Sequence, residues 1–331
     1  MKSILYLLSF FYRSGSRFIS FLYEKNIKKQ QSSPIPVICI GNITFGGSEK
    51  TPLSIKLIKI LVEKGFKPAF ISRGYKGKWE KKGGMVLPGH NQVSDWKTFG
   101  DEPFMAARNV PEAGLFLGKN RILSCLNACK KGYDMAVLDD GFQYYALKKD
   151  LNIVLHDISK KGLLRESLSA LKKAQIILLK KNSPEEKKAE LKSSLPGISV
   201  YEYSVFPEGL VKMSTGQAFA ADGFKQKKVL AFCGIAQPHR FKKTLEEMGI
   251  RPAAFLTFPD HYDYPQKAVN KILDKYSSLN TDVMVTTEKD SVKLEGINRF
   301  KKKPVYYVKI DLDIEKGFFD RVFSSMSLPK K

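Results

Sequence analysis

The stretch GNITFGGSEKTP, Gly41 to Pro52, follows an apolar run and opens a helical pattern, which is the place of a phosphate-binding loop. Such a loop needs backbone N–H groups turned inward at a helix N-terminus, a lysine for the β- and γ-phosphates, and a hydroxyl for Mg2+. Lys50 and Thr51 supply the last two, and the pair Gly46-Gly47 lets the backbone come close. The usual pattern, GxxxxGK[ST], is not met. Thr44 to Thr51 reads TFGGSEKT, so both fixed glycines are missing and Glu49 stands directly before the lysine. A backbone amide requires glycine only where φ is positive or a Cβ would collide. The loop therefore remains usable if the Glu49 side chain points to solvent. The plainer reading of the same residues is a tight strand-to-helix turn.

A second acidic element is DMAVLDDGFQ, where an apolar strand ends in Asp139-Asp140. A carboxylate at the carboxyl end of a strand is what a Walker B motif uses to hold Mg2+. Acid pairs at strand ends are common, so the element gains weight from Lys50 rather than by itself. Other polar islands also follow strands. Arg73 in ISRGYKG could reach a phosphate or close an ordinary turn. Asp101 in GDEP reads as a helix N-cap, a role worth about 1 kcal/mol and no chemistry. Asp260 and His261 in FPDHYDYP place a proton carrier in a loop, although a lone loop histidine is more often inert. TTEKD, residues 286–290, reads as another helix cap.

The elements that must position these residues alternate in type. Strands are expected at 36–40, 68–72, 113–118, 134–139, 152–156 and 175–180, with helices at 51–64, 101–109, 119–131, 165–173 and 184–194. This alternation implies an α/β fold with a P-loop-like, mostly parallel sheet and helices on both faces. Ligands in such sheets bind at the carboxyl ends of the strands, where both motifs lie. Residues 197–227 read as a linker with two strands, SVYEYSVF and GLVKMS. A second alternation, with strands at 229–235, 254–258, 283–287 and 305–310, gives a smaller α/β lobe. The expected division is 1–30, an N-terminal helix; 31–196, the nucleotide-binding domain; 197–227, the linker; and 228–331, the smaller domain.

Residues 1–23 form an apolar stripe on a helical wheel: Ile4, Leu7, Leu8, Phe11, Phe18, Ile19 and Leu22, with Lys2, Ser9, Arg13 and Arg17 opposite. Arg13 and Arg17 interrupt the stretch short of the ~20 apolar residues of a membrane span. No small-residue cleavage site follows it. The pattern fits an amphipathic helix lying in a membrane interface, and the plainer reading is a helix packed on the protein's own core. The 331 residues carry 56 Lys and Arg against 33 Asp and Glu, a net charge of +23, which implies an anionic partner. Cysteines 39, 125, 129 and 233 have no CxxC spacing and read as reduced core thiols.

GNITFGGSEKTP, SRGYKG, GDEP, LDDGFQ, FCGI, FPDHYDY and TTEKDSVK, in this order, resemble the tetraacyldisaccharide 4′-kinase (lipid A 4′-kinase) family from the N-terminal helix to about residue 310. The resemblance implies transfer of the γ-phosphate of ATP, with Mg2+, to the 4′-hydroxyl of a tetraacylated glucosamine disaccharide 1-phosphate. It also implies a peripheral protein on the cytoplasmic face of the inner membrane, an anionic glycolipid partner, and no nucleic acid. Lys50 matches the loop lysine, with Ser48 and Thr51 as flanking hydroxyls, and Asp139 and Asp140 match the metal-binding acids. Asp101 and His261 match a pair acting on the attacking hydroxyl, one from each expected lobe, so that lobe closure would assemble them. Arg73 and Arg121 match basic positions that meet phosphates. Three departures stand out: Glu49 in place of glycine, Tyr144 in place of the histidine after DDGFQ, and a short segment at Lys160 to Leu164. Glu49 alone would suit a catalytically inactive membrane scaffold, and the charge alone a nucleic-acid-binding NTPase. The chain shows no recognisable RNA-binding module.

Overall fold

The computed structural model describes residues 2–45, 49–89, 95–158 and 164–326. In chain order the elements are α1 (Lys2–Glu24), β1 (Val37–Asn42), α2 (Lys50–Glu63), β2 (Pro68–Ser72), α3 (Trp79–Lys82), β3 (Gly84–Val86), α4 (Trp96–Phe99), α5 (Asp101–Asn109), β4 (Gly114–Leu117), α6 (Arg121–Lys130), β5 (Met135–Asp139), β6 (Leu151–His156) and β7 (Ile176–Lys180). There follow α7 (Glu185–Ser194), β8 (Ser199–Lys212), β9 (Ala218–Phe219), β10 (Val229–Cys233), α8 (Pro238–Glu247), β11 (Ala254–Thr257), α9 (Gln266–Ser278), β12 (Val283–Thr287), α10 (Glu288–Leu294), α11 (Asn298–Lys301), β13 (Val305–Ile314) and α12 (Phe318–Ser324).

Two compact units divide the chain. The first holds residues 1–93, 106–204 and 312–331, and the second holds 94–105 and 205–311. The units are not contiguous in sequence, which corrects the expected assignment of Asp101. Residues 94–105 leave the nucleotide-binding domain and join the second unit.

The first unit carries strands in the order β8-β7-β6-β1-β5-β2-β4-β3, parallel except for β3 against β4. Its central strands are near-continuous apolar runs because a parallel sheet is covered on both faces. Every residue of β1 and β5 is buried. One face packs Val37, Cys39, Leu138, Val154 and Ile177 with Cys125 and Ala128 of α6. Leu53, Leu57, Ile58 and Leu61 of α2 are fully buried. The chain runs outward from β1 to β2 on one side and returns to β6 on the other, so β1 is the topological switch point, where open sheets bind ligands. The register pairs Ile40 with Asp139, which sets the start of the Gly41–Pro52 loop beside the acid pair.

The second unit orders β11-β10-β12-β13, all parallel. Val229, Ala231 and Cys233 face Phe241 and Leu245 of α8, while Leu230 and Phe232 face Val269, Ile272 and Leu273 of α9. The alternation of period two thus covers both faces. Cys39, Cys125 and Cys233 are buried and none of the four cysteines is bridged. Burial pushes Cys39 and Cys125 up to about 11 and Cys233 up to about 12.

Two local expectations change. Residues 199–212 form one strand rather than two, with Pro207 between the part paired with β7 and the part paired with β9. The helix expected at 165–173 is a pair of 3-10 turns over Leu168–Lys173.

α1 is one continuous helix, and its C-terminal half docks on the first unit through polar side chains. Ser16 Oγ donates to the buried Glu166 carboxylate, which also accepts from Tyr145 OH at 2.5 Å. Lys173 donates to Ser20 Oγ and pairs with Glu24 at 2.5 Å. Phe18, Ile19 and Phe21 point away from the body and are 62%, 45% and 45% exposed. Among the described residues no helix is long and apolar enough to cross a membrane.

Candidate active site

Two sets of candidate side chains are assembled, one in each unit. The first is built on the carboxyl ends of β1 and β5. Thr51, in the first turn of α2, donates its hydroxyl to Asp139 Oδ2 at 2.9 Å, and Ser54 donates to Asp139 Oδ1 at 2.8 Å. Asp139 is buried, so a hydroxyl on each oxygen offsets the loss of water. Lys50 Nζ lies 3.2 Å from Asp140 Oδ1 and donates to Asn42 Oδ1 at 3.3 Å. The Arg165 guanidinium reaches both Asp140 oxygens, at 3.3 and 3.2 Å. Burial alone would raise the Asp140 carboxyl, but Lys50 and Arg165 outweigh it and hold it at about 2.

The Asp140 turn has its own support. Asp140 adopts a left-handed φ of 53°. Lys149 Nζ donates to the carbonyls of Gly141, Phe142 and Tyr144 at 3.3, 3.2 and 3.0 Å, which ties the turn together. Gln143 donates to the Asn42 carbonyl at 2.8 Å and links the turn to β1. A Cβ at Gly41 would fall 2.4 Å from Phe142 Cβ, so this close approach requires glycine.

Gly46, Gly47 and Ser48 lie outside the described residues, as do residues 160–163 of the short segment. Glu49 is described, and its side chain does not point free into solvent. It is partly buried, and its Oε2 lies 3.4 Å from the hydroxyl of the buried Tyr203. Its backbone is left-handed, φ 54° and ψ 24°, the conformation that a glycine here would adopt without strain. Arg73 donates to Glu80 at 2.7 Å and remains 45% exposed. Arg121 opens α6 and lies over the Tyr144 ring, 4.7 Å from its centroid. Burial lowers the pKa of Arg121, and its Nε has no hydrogen-bond partner among the described residues. Tyr144 thus offers a ring face to a guanidinium.

The donor set of the first unit is made of hard oxygens: the Thr51 hydroxyl and the carboxylates of Asp139 and Asp140. Mg2+ takes one or two carboxylates and completes its shell with water and phosphate oxygens, so these residues fit it.

The second set lies wholly within the second unit. Asp101 begins α5 and is buried, and its Oδ1 accepts from the Glu102 amide at 3.0 Å, as an N-terminal carboxylate should. Its Oδ2 meets His261 Nδ1 at 2.8 Å. Lys293 Nζ lies 3.1 Å from the same oxygen and is fully buried. Lys289 Nζ is 3.0 Å from Glu102, 3.8 Å from Asp260 and 3.2 Å from His261 Nε2. Burial would raise the Asp101 carboxyl, but the His261 hydrogen bond and the two lysines reverse this and hold it well below the usual carboxylate range. Both lysines come from α10, whose start is capped by Thr287 accepting from the Asp290 amide at 3.1 Å. The cap reading of TTEKD was therefore correct for Thr287 and incomplete for the helix behind it.

The expectation that Asp101 and His261 come from different lobes is corrected. Both belong to the second unit, so the pair forms without any movement between units. The sequence reading missed Arg165, Lys149, Ser54, Lys289 and Lys293. Ser54 and Lys293 carry a signal in retrospect, one helical turn beyond Lys50 and Lys289 on the same helix faces. Arg165 carries none, because only the fold brings it to Asp140, and Lys149 carries none, because its carbonyl partners lie in an irregular turn without periodicity.

The family model described as Tetraacyldisaccharide-1-P 4'-kinase matches residues 1–327. A tetraacyldisaccharide 4'-kinase of Desulfotalea psychrophila is 33% identical, over 92% of this chain and 93% of that one. The protein of the same name from Pelobacter propionicus is 32% identical, over 95% and 89%. The crystal structure of LpxK from Aquifex aeolicus in complex with ATP superposes with a TM-score of 0.75 at 29% identity, covering 98% of this chain and 97% of that one.

Proposed function

This chain belongs to the tetraacyldisaccharide-1-P 4'-kinase family, and on that premise we propose that it transfers the γ-phosphate of ATP to the 4′-hydroxyl of a tetraacylated glucosamine disaccharide 1-phosphate. The observation that carries the reading to these residues is the 2.8 Å contact between Asp101 and His261, 160 positions apart in sequence. A sugar hydroxyl is a poor nucleophile, and an imidazole oriented by a carboxylate can take its proton. Asp101 is held as a carboxylate by His261, Lys289 and Lys293, so it orients rather than accepts. His261 is the proton acceptor.

The first unit holds the donor. Lys50 exchanges its ion pair with Asp140 for phosphate oxygens, and Arg165 keeps that carboxylate in place. Thr51, Asp139 and Asp140 would hold Mg2+, which neutralises charge on the β- and γ-phosphate oxygens when bound. Arg73 and Arg121 supply further positive charge for phosphate groups, Arg121 with its Tyr144 platform. Glu49 leaves Lys50 and Thr51 in place, which favours an active enzyme over an inert scaffold.

The acceptor is an anionic lipid, and the net charge of +23 matches it. Phe18, Ile19 and Phe21, exposed on a helix that docks through its polar side, suit insertion into the cytoplasmic face of the inner membrane. One apolar and one electrostatic anchor together give reversible attachment. No nucleic acid is needed to account for the charge.

The test is transfer of labelled γ-phosphate to the purified lipid acceptor in mixed micelles, with Asp101→Ala and His261→Ala beside wild type. Transfer by wild type and roughly a 100-fold or larger loss in both variants is expected. Absence of transfer by folded, ATP-binding wild type would point to another acceptor, and absence of ATP binding to an inactive scaffold.

A further inference from the structure

His261 has a polar group within hydrogen-bond distance of each ring nitrogen, and their chemistry dictates where its proton lies. Nδ1 faces Asp101 Oδ2 at 2.8 Å, and Nε2 faces Lys289 Nζ at 3.2 Å. A carboxylate only accepts hydrogen bonds and an ammonium only donates them. Lys289 is firmly a cation: burial would lower its pKa, but Glu102, Asp101 and Asp260 outweigh burial and raise it. One state of the ring satisfies both neighbours. It is neutral, with the proton on Nδ1 and the lone pair on Nε2. An imidazolium would turn an N–H against the ammonium.

The remaining charges show what Lys289 prevents. Asp260 Oδ2 lies 3.9 Å from Nε2. Without Lys289 the ring would sit between this carboxylate and Asp101, with Glu102 on the neighbouring helix and Lys293 engaged with Asp101 at 3.1 Å. Two flanking carboxylates favour the charged imidazole. The backbone that carries the ring is tied to the same carboxylate. His261 has a left-handed φ of 56°, and its own amide donates to Asp260 Oδ1 at 3.0 Å.

We infer that Lys289 is a positioning residue for proton transfer, whose ammonium keeps His261 in the neutral Nδ1–H form and stands at the Nε2 lone pair until the acceptor hydroxyl takes that place. The inference rests on His261 being the proton acceptor. When the hydroxyl arrives, Lys289 keeps its three protons and moves its bonds to Glu102 and Asp260. The hydroxyl proton goes to Nε2, the sugar oxygen bonds to the γ-phosphorus, and the bond to the β–γ bridging oxygen breaks with its electron pair leaving on ADP. The imidazolium formed faces Asp101.

The experiment is long-range 1H–15N correlation on full-length protein labelled at its four histidines, with His261 assigned through His261→Gln. At about pH 7 wild type should show a protonated Nδ1 and a bare Nε2. Lys289→Met should show imidazolium or mixed tautomers, and Lys289→Arg should keep the wild-type pattern. In turnover, Lys289→Met should lower kcat roughly 10- to 100-fold at about pH 7, recover most of it near pH 9, and leave KM for ATP unchanged. A wild-type ring protonated on Nε2, or a Lys289→Met ring with unchanged shifts and a pH-independent loss, overturns the inference. If Lys289→Met does not fold, the wild-type spectrum and the Lys289→Arg rates decide. Full transfer by His261→Ala would sink the assignment of the base instead, and the tautomer result would still be read on its own.

Discussion

Glu49 breaks a sequence rule while Thr51 still reaches Asp139 and Lys50 still reaches Asp140. Its left-handed backbone costs about 1 kcal/mol relative to glycine, and its contact with Tyr203 offsets part of that. Glu49→Gly should therefore raise stability by about 0.5–1 kcal/mol and keep or improve ATP affinity, measured by thermal unfolding and nucleotide titration. A large loss of affinity would mean that the Tyr203 contact orders the loop. Asp101 carries a stability prediction with a definite sign. Its folded pKa lies below its unfolded value, so its contribution is fully present above about pH 4 and is lost as pH falls toward the folded value. Asp101→Asn should cost about 3 kcal/mol at neutral pH, because it leaves Lys293 buried beside a neutral amide. That deficit should shrink below about pH 4, as followed by chemical denaturation across pH. A deficit independent of pH would argue that packing, not charge, is lost.

Among the elements, the turn after β5 and the helix α1 share supports. The segment from Asp140 to Lys149 carries Asp140 at its start and Tyr145 at its middle. Lys149 closes three carbonyls of this turn. Lys149→Met should leave those carbonyls unsatisfied, cost about 2 kcal/mol, and raise KM for ATP more than KM for lipid, since Asp140 stands in the donor set. Equal effects on both would place Lys149 outside the nucleotide site. Tyr145 OH shares Glu166 with Ser16 of α1, and Glu166 directly follows Arg165 in sequence. α1 is thus held by polar contacts, while Phe18, Ile19 and Phe21 remain exposed. Deleting residues 1–23 should free the protein from anionic vesicles and raise KM for lipid more than for ATP. Unchanged sedimentation with vesicles would refute the anchor.

At the scale of the molecule, charge and fold act on different steps. A net charge of +23 sets attraction to an anionic surface and is screened within about 8 Å at physiological salt. Vesicle binding should therefore weaken as salt rises from about 50 to 500 mM, and part of it should persist because α1 contributes apolar area. Complete release at high salt would assign attachment to charge alone. The fold divides the proposed chemistry: one unit carries the proposed phosphate-donor residues at the switch point around β1, and the other holds Asp101, His261 and the lysines of α10.

Much of this was written in the sequence. Apolar runs such as Val37–Ile40 and Met135–Leu138 announce buried parallel strands, because only a sheet covered on both faces needs them. The order of strands and helices gave the fold class, and Lys50-Thr51 and Asp139-Asp140 marked strand ends where ligands bind. Seven short motifs in register identified the family. The tertiary structure decided what depends on contacts distant in sequence. It placed residues 94–105 with the second unit, so Asp101 met His261 inside one body. It also brought Arg165 to Asp140, turned Glu49 toward Tyr203, and set Lys289 at the second nitrogen of His261. No local pattern encodes those pairings, because side-chain periodicity fixes which face a residue occupies and not which residue it will face across the fold.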